Sequence, residues 1–94
     1  MFNNQRYLTR GVQSEIPIEL QLFMWDCLST IKGEKDYLQI FRLSVSDGLQ
    51  KIVHEQEVPE FKAEYILRVT QTIDQKVYII DDGDHCTMLL AEEY

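Results

Sequence analysis

Asp81, Asp82, Asp84 and His85 are the residues of this chain that look most like chemistry. Carboxylates crowded on a tight turn are the ligand type that calcium and magnesium take. An imidazole beside them adds a group able to carry protons near neutral pH. The spacing argues against a metal. Calcium takes about 6–8 oxygens, commonly drawn from a loop of about a dozen residues, whereas this turn supplies three carboxylates in four positions. Asp82-Gly83 is also the pair that a two-residue hairpin turn requires. The expectation is a turn with an acidic surface, no metal site and no cofactor.

Other candidates for catalysis are weaker. His54 and Glu55 are adjacent, and adjacent strand residues point to opposite faces, so they cannot act as an acid–base pair. His54 falls in an apolar pattern between Phe41 and Tyr65, which predicts a hydrogen-bonded core histidine. No Gly-x-Ser-x-Gly, phosphate loop or dinucleotide turn is present. The four glycines are all taken by a strand end, a helix end and turns, leaving none to cradle a ligand. Cys27 and Cys86 sit inside apolar segments and read as buried free thiols; two isolated cysteines do not make a zinc site. The chain is therefore expected not to be an enzyme. The alternative is a small ligand-binding protein or enzyme, with a site near His54, Tyr65 and Trp25.

Charge is more informative. The formal net charge is −7. Beyond Lys76 there is no Lys or Arg, while Asp81, Asp82, Asp84, Glu92 and Glu93 follow. A negative protein repels phosphate backbones, so direct nucleic-acid binding is not expected. The complementary partner is a protein with a basic surface. The longest apolar runs are a few residues, far below the roughly 20 needed to cross a bilayer, and the start lacks the apolar core of a secretory signal. No membrane association and a cytoplasmic location are the expectations.

The elements that must position these residues follow from hydrophobic period. A chain of 94 residues makes one globular domain, 1–94. Residues 5–12 read as a short N-terminal strand. Ser14 suits a helix N-cap, Pro17 a first turn, and the helix runs from about 17 to 31, with Gly33 as its stop. Ile18, Leu22, Trp25 and Leu28 fall on one stripe, widened by Leu20, Met24, Cys27 and Ile31. From Tyr37 onward the period becomes two. An Asp47-Gly48 turn places Val45 opposite Gln50, Leu43 opposite Ile52 and Phe41 opposite His54. A turn at Val58–Phe61 places His54 beside Tyr65 and Ile52 beside Leu67. A turn at Asp82-Gly83 places Ile79 opposite Cys86, Val77 opposite Met88 and Asp81 opposite Asp84. The predicted fold class is α+β: one main helix packed on a curled antiparallel β-meander of about five strands. The last hairpin is apolar on both faces. Either the sheet curls into a partial barrel or a second copy covers the free face, so the chain is a monomer or a homodimer.

The blocks RYLTRGV (6–12), IPIELQ (16–21), DYLQIF (36–41), HEQEVPE (54–60) and KVYIIDDGDHCTMLLAEEY (76–94) resemble a bacterial family catalogued as domain of unknown function 960. The resemblance covers essentially the whole chain. It implies a small single-domain protein of Gram-positive bacteria and their mobile elements, and brings no activity or catalytic residues. The functional expectation is a non-enzymatic acidic protein-binding module. Asp81, Asp82, Asp84, Glu92 and Glu93 would contact the partner. For a mobile-element product, that partner could be a nucleic-acid-handling or defence enzyme that the module antagonises.

Overall fold

The structure, a computed structural model, describes Phe2 and residues 4–94. Strand β1 (Gln5–Leu8) is followed by helices α1 (Arg10–Glu15) and α2 (Ile18–Cys27), and a 3-10 turn at Leu28–Thr30. Strands β2 (Leu38–Ser46), β3 (Leu49–Gln56), β4 (Phe61–Leu67), β5 (Gln75–Asp81) and β6 (His85–Leu90) come next, with a closing 3-10 turn at Ala91–Glu93.

All six strands form one sheet, in the order β1-β6-β5-β2-β3-β4. The α+β class stands. The five-strand meander does not, because β5 returns to the far side of β2 instead of pairing with β4. The first strand also joins the sheet, parallel to β6. The position of β5 agrees with its composition: a strand apolar on both faces belongs between neighbours, not at an edge. Strands β1 and β4 remain as open edges, so the sheet does not close into a barrel.

The β2–β3 register is the predicted one. Asp47 (φ 53°) and Gly48 (φ 76°) form the turn, and Val45, Leu43 and Phe41 face Gln50, Ile52 and His54. Positive φ at both central positions matches the right-handed twist of the flanking strands. The next two hairpins differ from expectation by two residues each. His54 faces Ala63 and Ile52 faces Tyr65; Ile79 faces Met88 and Val77 faces Leu90. The turns are longer than two residues: Glu57–Glu60 in one case, Asp82–Asp84 in the other. A shift of two leaves every side chain on its predicted face, because strand side chains alternate with period two.

The helical region is split. Thr9, not Ser14, is the first N-cap, its Oγ1 accepting from the Val12 N–H. Ser14 lies within α1 and donates to the Gly11 carbonyl. Pro17 is the N-cap of α2. Helix α2 packs through Leu20, Gln21, Met24, Trp25 and Cys27, whereas Ile18 and Leu22 are 65% and 57% exposed. The expected Ile18–Leu22–Trp25–Leu28 stripe is thus only half right. The helix is apolar nearly all round, so periodicity does not choose which side lies on the sheet. The helix meets Phe41, Leu43, Ile52, Val77, Ile79, Cys86, Met88 and Leu90 in one core. Tyr65 and Leu67 are half-buried at its margin, and Val45 is exposed at the hairpin tip.

Polar side chains on the inner face tie loops to the sheet. Gln39 donates to Gln56 Oε1 (2.7 Å) and to the Asp36 carbonyl (2.9 Å). Gln56 donates to the Pro59 carbonyl (2.7 Å). Gln50 accepts from the Ile73 N–H (2.8 Å) and donates to the Ile73 carbonyl (3.0 Å). Buried amides must find such partners, and these bonds fix loops 31–37, 57–60 and 68–74.

Candidate protein-binding surface

Two of the five predicted contact acids are used by the fold itself. Asp81 accepts from the Phe2 N–H (2.6 Å), the Gly83 N–H (2.7 Å) and Asn4 Nδ2 (3.2 Å). It holds the N-terminal segment beside the β5–β6 turn. Burial opposes its charge, but these hydrogen bonds outweigh it and hold its carboxyl below the usual carboxylate range. Asp81 faces Cys86, not Asp84, so the expected like-charge pair at the hairpin mouth does not form.

Glu93 plays the matching part at the other end. Its Oε1 accepts from Thr9 Oγ1 (2.6 Å) and from the Leu90 N–H (2.8 Å), and its Oε2 from the Gly11 N–H (3.2 Å). The Thr9 bond, with help from the others, lowers its pKa. A Cβ at Gly11 would stand 2.7 Å from both Glu93 Oε2 and Leu90 Cδ1, so these side-chain ends would have to shift to admit one. Glu92 accepts from Gln75 Nε2 at 3.3 Å. The acids at this end lock the start of α1 to the chain's closing turn.

The remaining predicted acids are differently placed. Asp82 is exposed and pairs with His85 (Oδ2 to Nε2, 3.2 Å); Asp84 is exposed at the loop tip. The tertiary fold gives them company that the linear sequence hides. β2 and β4 begin, and β3 and β5 end, at the same end of the sheet. Loops 31–37, 57–60 and 82–84 therefore lie side by side. Within these three loops, Glu34, Asp36, Glu57 and Glu60 join Asp82, Asp84 and the adjacent Asp81, with Lys32 and Lys35 as the basic side chains. Glu34, Glu57 and Glu60 are exposed. The acidic surface is thus an end of the sheet, not one hairpin. Among the described residues, no three His, Cys, Asp or Glu side chains are grouped to hold a metal ion.

The alternative site does not assemble. His54 is fully buried, stacked on Phe41 (ring centroids 4.3 Å, 12°) and edge-on to Phe61 (5.2 Å). Its Nε2 lies 2.7 Å from Gln39 Oε1, while Nδ1 has no hydrogen-bond partner. Because Gln39 Oε1 can only accept, His54 carries its proton on Nε2. Burial pushes its pKa down to about 4, so the ring is neutral at physiological pH. Tyr65 packs against Phe23, on the same side of the sheet. Trp25 lies over β1, with the Arg6 guanidinium 4.7 Å from its ring. Four strand spacings, roughly 19 Å, separate β1 from β3. Three shallow concavities, of about 420 Å³ at residues 13–18, about 340 Å³ beside Glu57 and Glu60 and about 470 Å³ between Arg42, Lys51 and Lys76, are not lined by His54, Tyr65 or Trp25. Cys27 is free and buried, its thiol pushed up to about 11 by burial; Cys86 is free, buried and raised for the same reason. Neither is an activated nucleophile.

Comparison with known proteins agrees with this architecture. Among curated proteins, no sequence matches the chain. A solved protein of unknown function from Enterococcus faecalis shares its fold, with a TM-score of 0.83 at 21% identity. The match covers 98% of this chain and 92% of the other. A family model described as "Staphylococcal protein of unknown function (DUF960)" matches residues 5–93, and the chain belongs to that family.

Proposed function

We propose that this protein is a non-enzymatic binding module whose acidic sheet end engages a basic surface on a protein partner. The observation that supports this most directly is the convergence of acids from three loops, described above, at one end of the sheet. Like charges gathered on one end repel each other, and a fold selected for stability alone gains nothing from that. Gathered, they produce a field that steers an oppositely charged partner and speeds encounter. Asp82, Asp84, Glu57 and Glu60 are the exposed contact residues in this reading. Asp81 and Glu93 act as supports that hold the surrounding loops. Glu92 contributes at the far end. A narrower form makes the partner an enzyme that handles nucleic acid, since carboxylates at fixed spacing present the same sign of charge as phosphates. In that form the module acts as a mobile-element antagonist in the cytoplasm.

The test compares wild type with an Asp84→Asn, Glu57→Gln, Glu60→Gln variant as affinity baits in a bacterial lysate. Proteins held by wild type, lost from the variant and released by a salt step support the reading. For any such protein, the variant should associate more slowly at low salt and equally at high salt. An identical set of retained proteins on both baits would defeat it.

A further inference from the structure

The outer face of the sheet is the largest surface that nothing above explains. The helices pack on the inner face, and among the described residues no helix covers the outer one. On the observed register it carries two adjacent apolar rows. One is Tyr7, Thr87, Ile80 and Leu38, across β1, β6, β5 and β2; the other is Leu89, Tyr78 and Ile40. Tyr7 is 46% exposed; Thr87, Ile80, Leu38, Tyr78 and Ile40 are half-buried, and Leu89 is buried. Tyr94 packs edge-on against Tyr78 (5.5 Å), and the Lys76 ammonium lies over the Tyr78 ring.

We propose that this face is the interface of a two-fold homodimer. The charges flanking the rows argue for a second copy. Beyond the second row stand Lys76 on β5 and Arg42 on β2. Beyond the first, Asp82 continues β5 and Asp36 precedes β2. A two-fold axis lying across the strands, between the rows, sets each apolar row on the other row of the partner. The same operation sets Lys76 over the partner's end of β5, at Asp82, and Arg42 over the end of β2, at Asp36. On β4, Lys62 falls opposite Glu60. The one like-charge approach, Glu55 to Glu57, is offset by Arg42, whose Nε lies 2.6 Å from Glu55 Oε1. Strands β5 and β2 are also the centre of the sheet. The stacking angle of about 30° between packed sheets therefore disturbs these pairs least.

The arrangement places the two acidic ends at opposite poles of the dimer but draws Asp82, Glu57 and Glu60 into it, so dimer formation and the partner binding proposed above compete for those residues.

Sedimentation of the full-length protein, from about 1 µM to about 1 mM, tests the proposal. Wild type should dimerise, and Ile80→Asp should be monomeric throughout. Lys76→Asp should weaken the dimer roughly tenfold or more, and the Lys76→Asp, Asp82→Lys double variant should restore it. Residues 76 and 82 are about 20 Å apart along one strand, so they can meet only between copies. Circular dichroism confirms that each variant is folded; the charge-swapped pair keeps the test informative if Ile80→Asp is not. A wild type monomeric over the whole range would overturn the proposal. So would a dimer indifferent to Ile80→Asp, or one that the double variant fails to restore. A monomer that instead binds a single-stranded oligonucleotide through Tyr7 and Tyr78 would assign the face to another occupant.

Discussion

The two faces of the sheet break the alternation rule in opposite ways. The inner face, under the helices, buries Gln39, Gln50, His54 and Gln56 among its apolar side chains. The outer face leaves Tyr7 and Ile66 about half exposed and has no helix over it among the described residues. On the inside, the polar groups are spent on hydrogen bonds that seat three loops. Two of those loops, 31–37 and 57–60, belong to the acidic end, so the polar residues Gln39 and Gln56 and that part of the charged surface are one construction. On the outside, exposed apolar side chains serve no such purpose within one chain. A buried polar residue and an exposed apolar one are the informative exceptions to burial. Here the first explains how a surface is held, and the second marks where another molecule fits.

The largest effects should come from the inner face. Trp25 is 6% exposed, and Trp25→Ala should cost roughly 3–5 kcal/mol of the about 5–15 typical of a domain. Urea unfolding measures this; a loss well under 1 kcal/mol would mean that the helix is not held through Trp25.

Next comes pH. His54 is neutral and buried, with its folded pKa at about 4 against 6.5 in the unfolded chain. Above pH 6.5 both states are neutral and nothing changes. As pH falls from 6.5 toward 4, the unfolded state takes up a proton that the folded state refuses. Stability should decline over that window by up to about 3 kcal/mol. His54→Phe should remove this part of the acid sensitivity, even if the variant starts less stable. An unchanged slope in urea midpoints between those pH values would refute the buried neutral ring.

A smaller loss is expected for Gln39→Leu. It strips the partner from His54 Nε2 and leaves Gln56 Oε1 with one donor fewer, costing about 1–3 kcal/mol. The specific signature is faster hydrogen exchange in loops 31–37 and 57–60, which a simple packing loss would not single out. On the outer face, Ile66→Thr at a 54% exposed position should change monomer stability by less than about 0.5 kcal/mol.

Smallest of all is the acidic end. Asp84→Asn should leave the melting temperature unchanged or slightly higher, since it relieves repulsion. Glu93→Gln, at the other end, should lower it, because its carboxylate accepts bonds from Thr9, Gly11 and Leu90. Equal effects from the two changes would erase the distinction between a free acid and a structural one.

Much of this was readable from residues in order. The Asp47-Gly48 pair set the β2–β3 register outright. The other two hairpins kept their faces despite two-residue shifts, because a period of two tolerates even errors. Turn length was not readable. Nothing in Asp-Asp-Gly-Asp says whether two or three residues close the loop, and only the Asp82–His85 bond decides it. The helix stripe was misread because α2 is apolar on most sides. The five contact acids were chosen by closeness in sequence, which missed Glu34, Asp36, Glu57 and Glu60 entirely.

Local pattern determined what each segment is: helix, strand or turn, and which side chains share a strand face. Those properties depend on neighbours within a few residues, through the backbone's own periods. Tertiary structure decided which segments stand side by side: β5 against β2, β1 parallel to β6, and three acidic loops at one end. Strand order depends on burying the faces of distant segments together, and no window along the chain contains both partners. The same limit applies to Asp81 and Glu93. Two of the three donors to each lie about eighty residues away, Phe2 and Asn4 for Asp81 and Thr9 and Gly11 for Glu93, so only the assembled fold distinguishes these structural carboxylates from the exposed ones beside them.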